Sequence, residues 1–190
     1  MAKLLPFVAL VAALLGLSGS APAGELAGVK MSDRTVVAGK PLVLNGMGVR
    51  KATFLKVKVY VAGLYLEKKS GDAAVVISST QVKRLVLQFV RDVTRDQIAE
   101  AWQEGFEKNG GKELPRLRAR IRQLNGWMTD FHSGDALTFT FLPGSGVEVQ
   151  VRGTAVGVLP GDDFARTLLS IWLGSQPPNA DLKSGLLGEN

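Results

Sequence analysis

The hydrophobic period of this chain changes twice, and that succession restricts the fold more than any single motif does. Pro41–Ala52 and Lys56–Leu66 alternate with period two, Val57, Val59 and Val61 standing against Lys56, Lys58 and Tyr60, as half-buried strands do. Lys83–Arg91 continues the pattern, with Leu85, Leu87 and Phe89 on one face. At Thr94 the period lengthens. Thr94-Arg-Asp-Gln97 has the form of a capping box; Ile98, Ala101, Trp102, Gly105 and Phe106 follow at helical spacing, and Asn109-Gly110-Gly111 ends the segment. A second helix is expected over Glu113–Gln123, in a stripe of Leu114, Leu117, Ile121 and Leu124. Period two then returns in Ala136–Leu142 and Val147–Arg152, joined by Pro143-Gly-Ser-Gly146. Thr154–Leu159 extends that hairpin. A helix opens at Pro160-Gly-Asp-Asp163 and runs through Trp172, and a short one lies near Asp181–Leu187. Lys30–Lys40 reads as polar and turn-rich, while Ala73–Ser78 suits a short strand or a helix start equally.

Strands joined by hairpins, with helices gathered in blocks, predict an α+β fold: a large antiparallel β-sheet with helices layered on one face. An apolar pocket fits between such layers. The first residues have the layout of a secretory signal peptide: Lys3, the apolar run Leu4–Leu17, a Ser/Gly stretch, then Ala21-Pro22-Ala23. The run is shorter than the roughly 20 residues of a spanning helix, so cleavage after Ala23 is expected. Residues 24–190 would then form a single domain, periplasmic or secreted, with no transmembrane segment. The sequence has no cysteine, so that domain holds by packing and hydrogen bonding alone. A formal charge of +6 bears on solubility and anionic surfaces more than on nucleic acid.

Several chemistries are excluded or weakened. With no Cys and one His, a thiol nucleophile is ruled out and a Cys/His zinc site has too few ligands. His132 sits near Asp130 and Ser133, a spacing that admits a triad but equally a solvated loop. Gly46-Met-Gly48 is half a nucleotide fingerprint without the helix that should follow. Asp162-Asp163 suits a helix N-terminus. Arg116, Arg118, Arg120 and Arg122 are spread over a polar helix arc with no interleaved aromatics, which describes a solvated face rather than a nucleic-acid site. No cofactor and no metal is expected.

A hairpin turn centred on residue 55 pairs positions whose numbers sum alike. It sets Arg50 opposite Tyr60, Gly48 opposite Ala62, and Lys58 opposite Ala52. A guanidinium beside a phenol hydroxyl forms a donor cluster for an anionic oxygen. The same pair on a solvent-facing strand is a surface cation–π contact, and the spacing leaves both open.

The run Gly46-x-Gly-Val-Arg50, a strand ending Gly63-Leu-Tyr-Leu66, the hairpin Leu137-Thr-Phe-Thr-Phe-Leu-Pro-Gly-Ser-Gly146 and Phe164–Gly174 together resemble the chalcone isomerase superfamily over nearly all of residues 24–190. That superfamily includes fatty-acid-binding relatives and bacterial members with signal peptides. The resemblance implies an open-faced β-sandwich with a ligand cleft. It also implies that Arg50 holds an oxyanion in an isomerase, or that Arg50 and Tyr60 grip a carboxylate in a binder. The tyrosine, lysine and asparagine of the isomerases have no counterparts on the first long helix, and Ile171 stands where a hydroxyl is usual. A non-catalytic binder of a fatty acid or similar small apolar anion is therefore expected, with Trp102, Phe106, Ile171 and Trp172 beside Arg50 and Tyr60. The alternatives are an isomerase on an enone-like substrate through Arg50 and Tyr60, and a ligand-free domain in which Arg50 meets an internal carboxylate such as Glu104.

Overall fold

Alternation becomes sheet wherever the sequence carries it. A computed structural model describes residues 22–53 and 55–189. Nearly all of the expected leader, and Phe54, lie outside the described residues. Strands β1 (Pro22–Leu26) and β2 (Val29–Ser32) pair as a small separate hairpin. Strands β3 (Arg34–Val37), β4 (Lys40–Ala52), β5 (Val57–Leu66), β6 (Lys83–Phe89), β7 (Ala136–Leu142), β8 (Gly146–Val151) and β9 (Thr154–Pro160) form a seven-stranded antiparallel sheet in sequence order. Helix α1 (Ala73–Ser78) joins β5 to β6. Helices α2 (Arg95–Asn109) and α3 (Leu114–Trp127) lie between β6 and β7, and α4 (Asp162–Leu173) and α5 (Ala180–Leu186) follow β9. The α+β class with helices layered on one face of an antiparallel sheet is thus what the chain adopts.

Local chemistry explains the elements that the sequence left open. Residues 73–78 are helical because the Asp72 carboxylate accepts from the Ala74 and Val75 N–H groups, at 2.8 and 3.1 Å. The capping box of α2 is complete, Thr94 and Gln97 each accepting from the other's backbone N–H. Lys30–Lys40 is not simply turn: it holds the end of β2, all of β3 and the start of β4. Ala27-Gly28 and Ala38-Gly39 all have positive φ, the backbone of tight two-residue hairpin turns, and these strands are too short to show a period.

The core has two parts. All the helices pack onto one face of the sheet, over Tyr60, Ala62, Leu64, Leu85, Leu87, Phe139 and their neighbours. The other face, at Leu42, Leu44, Val61 and Tyr65, is covered by Val29 and Met31 of the β1–β2 hairpin. Strand β5 is therefore buried on both sides from Tyr60 onward rather than half-buried, and the solvent-facing reading of Tyr60 falls. Each fully buried Leu or Phe contributes roughly 1.5–3 kcal/mol.

Gly46 and Gly48 are no phosphate loop. A Cβ on Gly46 would lie 2.1 Å from the Gly185 carbonyl oxygen, and one on Gly48 2.5 Å from that of Leu182. The two glycines form a groove in β4 into which α5 settles. One of the four helical arginines is structural too. Arg120 makes a two-pronged bond to Asp163, at 2.7 and 2.6 Å, and also donates to the Pro160 carbonyl, so it ties α3 to the start of α4 instead of facing solvent.

Candidate ligand cavity

Arg50 and Tyr60 are direct cross-strand partners, and Gly48 pairs with Ala62. The register then shifts between Arg50 and Lys51, so Lys58 faces Lys51 instead of Ala52. The skipped residue is Val59, so β5 carries the bulge directly beside the Arg50–Tyr60 pair. The Arg50 Nη1 donates to the Lys51 carbonyl, to the Pro178 carbonyl at 3.4 Å and to Asn179 Oδ1 at 3.2 Å. Its remaining N–H groups, on Nε and Nη2, have no acceptor among the described residues. No carboxylate there lies within ion-pair distance of Arg50: Glu104 is bound by Lys108 on the same helix, so the internal Arg50–Glu104 pair does not form.

Tyr60 is 6% exposed, and its hydroxyl oxygen accepts from the Trp172 Nε1–H at 2.9 Å. Burial pushes its pKa up to about 12, against the smaller opposing pulls of the Trp172 hydrogen bond and the Arg50 charge. The phenol stays neutral and keeps its proton for donation. Phe89, opposite Tyr60 on β6, meets its ring edge-on at 5.8 Å.

Between these strands and α2 lies a cavity of about 330 Å³, within the range of small-molecule sites. Val59, Phe89, Val93, Ile98, Trp102 and Ile171 give it an apolar wall, Arg50 and Tyr60 border it, and Pro177 and Pro178 close one side. Of the residues expected at a site, Arg50, Tyr60, Trp102 and Ile171 meet here. Trp172 stands behind Tyr60 as its hydrogen-bond donor. Phe106 faces away: it is fully buried, 5.7 Å from the Phe164 ring. The Trp102 indole N–H is buried without an acceptor among the described residues, beside the rings of Trp172 and Phe139.

Asn179 is the positioning residue that the sequence hid. Its Oδ1 accepts from the Lys51 N–H at 2.8 Å and its Nδ2 donates to the Lys51 carbonyl at 3.0 Å, while the same Oδ1 receives Arg50. It precedes α5 as an ordinary cap residue would, yet makes no side-chain bond to that helix. His132 builds no triad. Its ring lies exposed with Nδ1 3.4 Å from Asp92, Ser133 enters through its backbone N–H to Asp92, and the Asp130 carboxylate accepts from the Arg95 N–H.

An antiparallel sheet under a helical layer, with a cleft between them and an arginine–tyrosine pair on its border, makes an open-faced sandwich with a candidate ligand cavity between its layers. The chain belongs to the chalcone isomerase-like family, whose sequence model matches residues 23–188. The crystal structure of a fatty-acid binding protein from Arabidopsis thaliana superposes with a TM-score of 0.67 over 85% of this chain and 93% of that one, at 17% identity. At that identity the likeness is one of fold. No curated protein matches the sequence.

Proposed function

We propose that the protein binds a fatty acid or similar apolar carboxylate without transforming it, and that it does so outside the cytoplasm after loss of residues 1–23. One observation carries the reading: a cavity of about 330 Å³ with an apolar wall is bordered by an arginine whose Nε and Nη2 groups have no acceptor among the described residues, and by a buried, neutral phenol. A guanidinium takes a carboxylate in two parallel hydrogen bonds, and the phenol adds a third. The Arabidopsis protein of this fold is by its name a fatty-acid binder, which agrees. An isomerase using Tyr60 as its acid is disfavoured, because a phenol with a pKa of about 12 is poorly matched to proton transfer near neutrality.

The test is mass spectrometry of protein recovered from its native compartment, beside Arg50→Ala. A retained apolar acid is expected in the wild type and absent from the variant. Titration should show affinity falling roughly ten- to hundredfold, the worth of a charge-assisted hydrogen bond. The same spectrum reads the N-terminus, with Gly24 expected. Two empty, folded proteins would sink the carrier, and a chain that retains its leader would sink export.

A further inference from the structure

Ala52 and Thr53, at the end of β4, border the cavity together with Arg91 and Lys108. The adjoining turn is closed by the Lys56 N–H donating to the Thr53 carbonyl at 3.1 Å. Leu55, in that turn, is 69% exposed, and among the described residues it is the one strongly exposed large apolar side chain beside the cavity. The register shift at Val59 places Lys51 directly opposite Lys58, and like charges so placed weaken a strand pair. Lys51 has Asp181 at 3.2 Å. Lys56, Lys58 and Arg91 have no carboxylate within ion-pair distance among the described residues. The nearby carboxylates are engaged: Glu104 binds Lys108, and Asp92 accepts from Ser133 and faces His132. The result is an exposed leucine beside a net excess of positive charge, Lys56, Lys58 and Arg91 against Asp92, at the rim of the cavity.

We infer that the β4–β5 hairpin tip docks this rim onto an anionic lipid bilayer, with Leu55 entering the interface and Lys56, Lys58 and Arg91 meeting lipid phosphates. The inference rests on the carrier reading for its purpose: an apolar acid would pass between bilayer and cavity with little exposure to water. A bilayer is favoured over a protein partner because the exposed apolar surface of this rim among the described residues, one leucine, is far below the roughly 1,000 Å² of a specific protein interface. One shallow apolar anchor flanked by cations is enough for a membrane surface.

The experiment is sedimentation of the purified chain with vesicles of equimolar phosphatidylcholine and phosphatidylglycerol, and with phosphatidylcholine alone. Binding is expected to the anionic vesicles only. It should weaken with salt and fall on the order of tenfold in Lys56→Gln/Lys58→Gln, and it should fall in Leu55→Ser. None of these three side chains lines the cavity, so both variants should take up a fluorescent fatty acid in lipid-free buffer as the wild type does. Binding to neither vesicle, equal binding to both, or variants that sediment like the wild type would overturn the inference. A dimer abolished by Leu55→Ser, with no vesicle binding, would overturn it in favour of a second copy of the chain. Uptake without docking leaves the carrier standing. Docking without uptake leaves the membrane surface standing and removes the carrier.

Discussion

The molecule contains two long hairpins, β4–β5 and β7–β8, and they are built to opposite rules. In β7–β8 the register is unbroken from Leu137↔Val151 to Leu142↔Gly146, and the turn takes its positive φ angles at Gly144 and Gly146. Phe139, Phe141, Val147 and Val149 go straight into the core. In β4–β5 the register shifts twice, the positive φ angles at the tip fall on Thr53 and Lys56, and two lysines face each other across the strands. A β-branched residue at φ 60° is a strained choice where glycine would be free. One hairpin follows every local preference. The other departs from them where it carries Arg50 and borders the cavity.

The comparison can be broken most forcefully at Phe139. Phe139→Ala should cost about 3–5 kcal/mol of stability, read as a lower denaturant midpoint. A loss below that of any β4–β5 change would contradict the division of labour. Next comes Asn179→Ala, which removes both bonds to the Lys51 backbone and one to Arg50. A loss of about 1–2 kcal/mol is expected, and fatty-acid affinity should drop less than in Arg50→Ala; an unchanged affinity would show that Arg50 needs no positioning. Near the end of β9, the Arg120 hydrogen bonds hold the Asp163 carboxyl down at about 2 from its ordinary 3.8. The unfolded chain takes up that proton first, so the stabilisation is complete above about pH 4 and fades as pH falls through 2. For this partly exposed pair it is worth about 1 kcal/mol, and Asp163→Asn should flatten that part of an acid-unfolding curve. The smallest effect is a gain. Thr53→Gly should stabilise by about 0.5–1 kcal/mol by relieving the left-handed backbone, and no gain would mean that the tip is not strained.

The hairpin that carries Arg50 was legible because its alternation is long and its turn can be centred, which is enough to bring Arg50 opposite Tyr60. The register shift beside it was not, since nothing in KVKVY marks Val59 as the residue left without a partner; hence Lys58 was expected opposite Ala52. The covering of β5 on both faces was hidden because β1, β2 and β3 are four or five residues each and announce themselves only by two Ala-Gly turns. Helical spacing correctly put Trp102 and Phe106 on the buried side of α2. It could not say that Trp102 borders the cavity while Phe106 meets Phe164, because the two share one stripe. Asn179 was illegible for a different reason: its partner is a backbone amide 128 residues away, and backbone leaves no side-chain signature.

That separation also sets a schedule. Strand β4 emerges early in synthesis, but α5 seats directly against its glycines and Asn179 holds Arg50 and the Lys51 backbone, and both are made more than a hundred residues later. At cellular elongation rates the arginine waits on the order of ten seconds for its clamp. Most of the sheet is therefore synthesised before the segment that fixes Arg50, and the Arg50 geometry is completed only by the last residues made.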